Sequence, residues 1–157
     1  MVRRLRPALL GAVIATVLAV GGATADPGNK VLDASMAGIA TGGQSLLGVP
    51  GGGLPWTLGR GDVRLFADGR LQVRVDQLVL GAGAGALAGT NPIPFGRAIV
   101  ACNGGATLVM TDLVPYSPEG DARVDTRVDL PMPCLAPAVF FAGQTGGGPR
   151  WFAVTGG

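Results

Sequence analysis

The chain has no histidine among its 157 residues, and only two cysteines, two tryptophans and one tyrosine. Without histidine a Ser-His-Asp triad is excluded, and a metal site loses its commonest nitrogen ligand. Lys30 is the only lysine and Glu119 the only glutamate, so charge rests almost wholly on arginine and aspartate. That bias, alongside abundant Ala, Gly, Val and Pro, is the mark of a GC-rich genome rather than of chemistry. Beyond the first 25 positions no segment carries a helical hydrophobic period, and glycine and proline interrupt the chain too often for long helices.

What is present begins with an export signal. Arg3, Arg4 and Arg6 precede an uncharged run from Ala8 to Val20, followed by Ala23-Thr24-Ala25. The small residues at 23 and 25 suit signal peptidase, so the mature chain is expected to begin at Asp26. The apolar run is short of the roughly 20 residues a membrane span needs, which disfavours an uncleaved anchor. Val2 and Leu5-Arg6 around Arg3-Arg4 fit a twin-arginine signal poorly. Three of the twelve basic residues and none of the ten acidic ones lie before Asp26, so the mature chain carries nine basic against ten acidic residues. No run of sequence suggests a nucleic-acid footprint, which needs a clustered basic face. No stable membrane insertion is expected after cleavage. In an exported chain, Cys102 and Cys134 are expected to form one disulfide.

Asp62 to Asp76 is the clearest structural segment. Apolar and charged residues alternate on both sides of Asp68-Gly69, the period of two half-buried strands and a turn. A three-residue loop, Ala67-Asp68-Gly69 with Gly69 left-handed, pairs Val63 with Val73, Leu65 with Leu71, Asp62 with Arg74 and Arg64 with Gln72. A two-residue loop would mix the faces. Continued outward, the same register sets Arg60 opposite Asp76, Leu58 opposite Leu78 and Trp56 opposite Leu80. The apolar parity switches near Gly59-Arg60-Gly61 and Asp76-Gln77, which predicts a bulge or sharp coil there.

Further strands are expected at 95–102, 106–112, 122–130, 138–142 and 151–155, with turns at Asn103-Gly104-Gly105 and loops at 41–55, 81–94, 115–121 and 143–149. Lys30 to Ala40 reads as an edge strand or a loose arm. The sum is a single all-β domain over 26–157, an antiparallel β-sandwich of eight or nine short strands, immunoglobulin-like in general layout, with a small β-barrel as the alternative. The composition resembles that of the secreted sandwich apoproteins that carry enediyne chromophores. Those are built with two disulfides and this chain can make one, so nothing about function follows.

Candidate chemistry is sparse. Asp121, Asp125 and Asp129 share one side of a strand, but arginines intervene and four residues of strand separate carboxylates by about 13 Å. A solvated charge ladder is expected rather than a calcium site. Gly83-Ala84-Gly85-Ala86-Leu87-Ala88 matches a dinucleotide fingerprint on paper, yet Gly89 to Pro94 follows where a helix is required. No catalytic residue, metal or cofactor is assigned. If Trp56 faces Leu80, loops 41–55 and 81–94 leave one end of the hairpin together, and Leu46, Leu47, Val49, Leu54, Trp56, Leu87, Ile93 and Phe95 gather at one pole. Leu47, Leu54, Trp56, Leu87 and Phe95 are the candidate ligand contacts, with Trp56 as stacking platform; a small apolar core closing the sandwich is the competing reading. The expected function is that of a secreted or cell-envelope module, bacterial and non-catalytic, binding a small ligand, glycan or protein surface. A structural, self-associating envelope protein is the alternative, and an Asp-dependent hydrolase ranks third.

Overall fold

The computed structural model describes residues 29–156; the expected signal segment and its cleavage point lie outside the described residues. β1 (Lys30–Gly38) leads into a small hairpin of β2 (Ser45–Leu46) and β3 (Val49–Pro50). The long hairpin comprises β4 (Trp56–Thr57), β5 (Arg60–Phe66), β6 (Arg70–Asp76) and β7 (Val79–Leu80). Then follow β8 (Phe95–Cys102), β9 (Thr107–Met110), β10 (Val114–Pro115), β11 (Ala122–Arg127), β12 (Ala138–Thr145) and β13 (Gly148–Thr155). Nine of these form one antiparallel sheet in the order β10-β8-β12-β13-β1-β5-β6-β11, with β9 also on the free side of β8. The sheet curls until β11 comes back beside β10 and β8. The all-β, antiparallel architecture is thus a half-barrel whose two layers are halves of one continuous sheet.

The central hairpin has the register its sequence dictates. Val63 faces Val73, Leu65 faces Leu71, Asp62 faces Arg74, Arg64 faces Gln72 and Arg60 faces Asp76. Trp56 faces Leu80. Gly69 is left-handed at φ 84°, and its amide donates to the Phe66 carbonyl at 2.9 Å. The parity switch falls where glycine and Gln77 permit it: Gln77 adopts φ 54°, and the Gly59 amide reaches its carbonyl at 3.2 Å. Odd residues Val63, Leu65, Val73 and Val75 are buried below the switch, and even residues Trp56, Leu78 and Leu80 above it.

β1 corrects the reading of 30–40 as an edge or arm. It lies in the middle of the sheet, its first part paired with β5 (Asp33 to Arg64, Ser35 to Asp62) and its last part with β13 (Met36 to Thr155, Gly38 to Ala153). Gly38 lets β4 cross it, because a Cβ there would collide with the Trp56 carbonyl. The strand at the end of the chain is also longer than expected. Residues 143–149 continue β12 and β13 as a hairpin around Gly146-Gly147 rather than forming a loop.

Both faces of β12 are covered, since adjacent Phe140 and Phe141 are each fully buried. On one side Phe140 meets Trp151 at 5.8 Å. The glycine-rich segment 42–53 lies against Trp151: Gly51 bridges it, Gly52 donates to its carbonyl at 3.0 Å, and the indole N–H donates to the Gln44 carbonyl at 3.1 Å. On the other side Phe141 meets Tyr116 edge-on at 5.1 Å. The loop 81–94 is fixed by buried Asn91, whose amide donates to the Ile93 and Ser117 carbonyls at 2.8 and 2.7 Å and whose Oδ1 accepts from the Ile93 amide at 2.9 Å.

Tyr116 donates its hydroxyl to the Leu78 carbonyl and is 3 % exposed. Burial pushes its pKa well above the ordinary phenol value, and the negative charge of Asp121 adds to the rise. A phenol whose folded pKa is raised stabilises the fold fully below its unfolded value of about 10, and that contribution is lost as pH rises beyond it. Because this is the sole tyrosine, phenolate absorbance reports it alone. Alkaline titration is expected to show no ionisation until the sheet unfolds, in one step with the loss of β circular dichroism. Reversible ionisation near pH 10 with the fold intact would contradict the buried hydroxyl.

Candidate functional site

The expected apolar mouth does not assemble. Trp56 is only 5 % exposed, stacked on Phe152 at 3.8 Å between centroids and 6.4 Å from Tyr116. Its ring faces are spent within the protein, so it is core and not a platform. Leu47 lies against Gly105, beyond the Cys102 end of β8, whereas Phe95 begins that strand. The two are separated by the length of β8, about 20 Å at strand rise. The cause is local: left-handed Leu47 and Gly48 turn β2 back on β3, carrying residues 42–53 over Trp151, so that Pro55, whose carbonyl accepts from the Gly81 amide at 2.8 Å, is what meets residues 81–94. Leu54, Leu87 and Phe95 are exposed singly at 39–52 %. The disulfide between Cys102 and Cys134 is formed, with Cα atoms 5.0 Å apart. Asn103 reinforces it by exchanging hydrogen bonds with Leu135 and donating to the Pro133 carbonyl.

A different surface collects the polar chemistry. The outward residues of β1, β5, β6 and β11 fall into cross-strand rows. Phe66, Arg70 and Arg127 make one; Asp33, Arg64, Gln72 and Asp125 the next; then Ser35, Asp62, Arg74 and Arg123; then Arg60 and Asp76. Six of the eight arginines among the described residues stand on this face. Only Arg97 and Arg150 lie elsewhere. The sequence shows which residues each strand points outward, but only the pairing of β11 with β6 brings the arginines of two distant segments together.

The face has a shallow groove of about 260 Å3, walled by Arg60, Arg64, Arg74 and Arg123 with Asp62, Gln72 and Asp125. Its ion pairs run along strands: Arg60 to Asp62 at 2.6 Å and Arg74 to Asp76 at 2.8 Å. Gln72 donates to Asp125 at 3.4 Å. Arg123 makes no hydrogen bond or ion pair among the described residues. At the hairpin tip, partial burial of Asp68 opposes its ionisation. The Arg70 amide and guanidinium, with Arg127, outweigh that and hold its carboxyl below the usual range. These exposed pairs contribute little to stability individually, so the face is available for contacts with a ligand.

The free edges of the sheet differ. β11 presents Arg123, Asp125 and Arg127, whereas β9 presents Thr107-Leu108-Val109-Met110 without a charge. Between residues 109–112 and 126–129 the curl leaves a cavity of about 220 Å3. No group of three or more metal-ligating side chains occurs among the described residues, nor does any helix there long and apolar enough to cross a membrane. No protein-family model, curated protein or solved structure matches the chain.

Proposed function

We propose that the chain is an exported, non-catalytic binding module whose ligand is an acidic glycan held on the arginine face of β5, β6 and β11. The supporting observation is the concentration of six arginines on one face, four of them interleaved with aspartates and Gln72 around one groove. Arginine forks match sugar carboxylates, often through two parallel hydrogen bonds. Asp62, Asp125 and Gln72 are acceptors for the hydroxyls between those carboxylates. A nucleic acid suits the face less well, because its phosphates follow one another too densely to avoid the interleaved aspartates. The disulfide, which persists in oxidising compartments, supports the extracytoplasmic location. Hydrolysis is not favoured by the groove: Asp62 and Asp125 stand on β5 and β11 with β6 between them, each engaged by a neighbouring side chain.

Retention on immobilised polygalacturonate is the direct test. The protein is expected to bind at low ionic strength, to elute as salt screens the arginines, and to pass through a column of neutral dextran. Passage through both columns, or tighter binding to duplex DNA than to polygalacturonate, would remove this reading. A second reading, self-association, is favoured by the uncharged free edge of β9. It would take precedence if sedimentation showed a dimer that Met110→Lys, on the exposed end of β9, dissociates.

A further inference from the structure

The rows of the arginine face obey a simple rule with two exceptions. Facing neighbours are opposite in charge or one is neutral: Arg60 with Asp76, Asp62 with Arg74, Arg64 with Gln72, Gln72 with Asp125. Arg127 opposite Arg70 and Arg123 opposite Arg74 break it. Side chains directly across a strand pair stand about 5 Å apart at Cβ, where like charges repel.

The protein resolves the first exception itself. The Asp68 carboxylate accepts from Arg70 at 2.9 Å and from Arg127 at 3.2 Å, one carboxylate bridging two guanidiniums. Among the described residues no one carboxylate hydrogen-bonds both members of the second, although Asp76, Asp62 and Asp121 act on Arg74. Arg74 gives its Nε to Asp76, two residues along its own strand, and its terminal nitrogens make no hydrogen bond to β11 among the described residues. Arg123 has no partner among the described residues, and both arginines line the groove.

We infer that Arg74 and Arg123 form a clamp for a single carboxylate of the ligand, the counterpart of the Asp68 bridge supplied from outside. The inference rests on the acidic-glycan reading and places one sugar carboxylate between the two guanidiniums. Neighbouring Gln72 and Asp125 meet the hydroxyls of the same sugar. In the empty clamp Asp76, Asp62 and Asp121 offset the charge of Arg74 but no side chain pairs with Arg123, so part of the repulsion remains and ligand binding and fold stability are coupled there. A carboxylate stabilises the wild type, and removing one arginine stabilises the empty protein while weakening the complex.

The test uses tetragalacturonate as probe and compares wild type, Arg123→Gln and Arg150→Gln, the last on β13 away from the face. Titration calorimetry is expected to show at least a tenfold loss of affinity in Arg123→Gln and none in Arg150→Gln. Without ligand, Arg123→Gln is expected to melt about 1–3 °C above wild type at low salt, the size of one relieved like-charge pair in a domain of this length. The Nε–H resonances of Arg74 and Arg123 in the wild type should move first on titration, a readout that needs no variant to fold. Wild-type binding with Arg123→Gln within twofold of it, or resonance shifts confined to other arginines, overturns the clamp and leaves the glycan reading standing. Failure of the wild type to bind either tetragalacturonate or polygalacturonate removes both.

Discussion

Replacing Trp56 with alanine is expected to destabilise the domain by about 3–5 kcal/mol, the usual range for a buried aromatic removed from a packed core. The indole is stacked on Phe152 at an interplanar angle of 11°, and Tyr116 stands beside the pair. The backbone around it cannot close the hole easily. Gly52 already lies close to the indole, since a Cβ there would come within 3.0 Å of its Nε1, and the Trp56 amide is fixed to the Ile39 carbonyl at 2.8 Å. Against a total stability of roughly 5–15 kcal/mol, the loss is a large fraction. Urea unfolding would read it as a fall in midpoint. The same substitution separates two roles for this side chain. A stacking platform in an open mouth could be removed with a change below about 1 kcal/mol, as is usual at surfaces, and that outcome would return Trp56 to the list of ligand contacts.

The double replacement Cys102→Ala/Cys134→Ala ranks second. The crosslink spans 32 residues, and in the chain-entropy model a loop of that length contributes roughly 3–4 kcal/mol by restricting the unfolded chain. The folded side of the balance should change little. Asn103 holds the same junction through its amide to the Leu135 carbonyl at 2.9 Å, its Oδ1 to the Leu135 amide and its Nδ2 to the Pro133 carbonyl. The variant is therefore expected to keep wild-type circular dichroism while its urea midpoint falls and its denaturant slope rises, because an uncrosslinked unfolded chain exposes more surface. An unchanged midpoint would mean that the bond adds nothing the Asn103 hydrogen bonds do not already supply. Loss of the folded spectrum would mean that the bond, not Asn103, positions residues 130–137.

Local geometry was legible in the sequence, and long-range assembly was not. The register from Arg60–Asp76 to Leu65–Leu71 follows from a two-residue period meeting a turn that needs one left-handed glycine. Both conditions lie within seventeen residues. The Trp56–Leu80 pairing follows by the same count, but what covers Trp56 is Phe152, nearly a hundred positions away, and nothing in residues 50–60 announces it. Lys30 to Ala40 alternates weakly, so its charges and small residues suggest an edge. Its central place depends on two partners far apart in sequence, β5 and β13. The glycine-rich segment after it has no period, because its amides and carbonyls are satisfied by Trp151 and its neighbours rather than by a regular ladder. The arginine face shows the same division. Each strand declares its outward residues, but Arg74 and Arg123 become neighbours only when β11 docks on β6.

The position of β1 also sets an order of events. It alone joins the two halves of the sheet, and the half of it that meets β13 pairs Met36, Ala37 and Gly38 with Thr155, Val154 and Ala153. Those contacts span nearly the whole described chain, the kind of separation that slows folding. During synthesis the β5–β6 hairpin can form as soon as it emerges, but the seam must wait for β13. Until residue 155 is free, β1 cannot join the two halves, and the sheet stays unfinished.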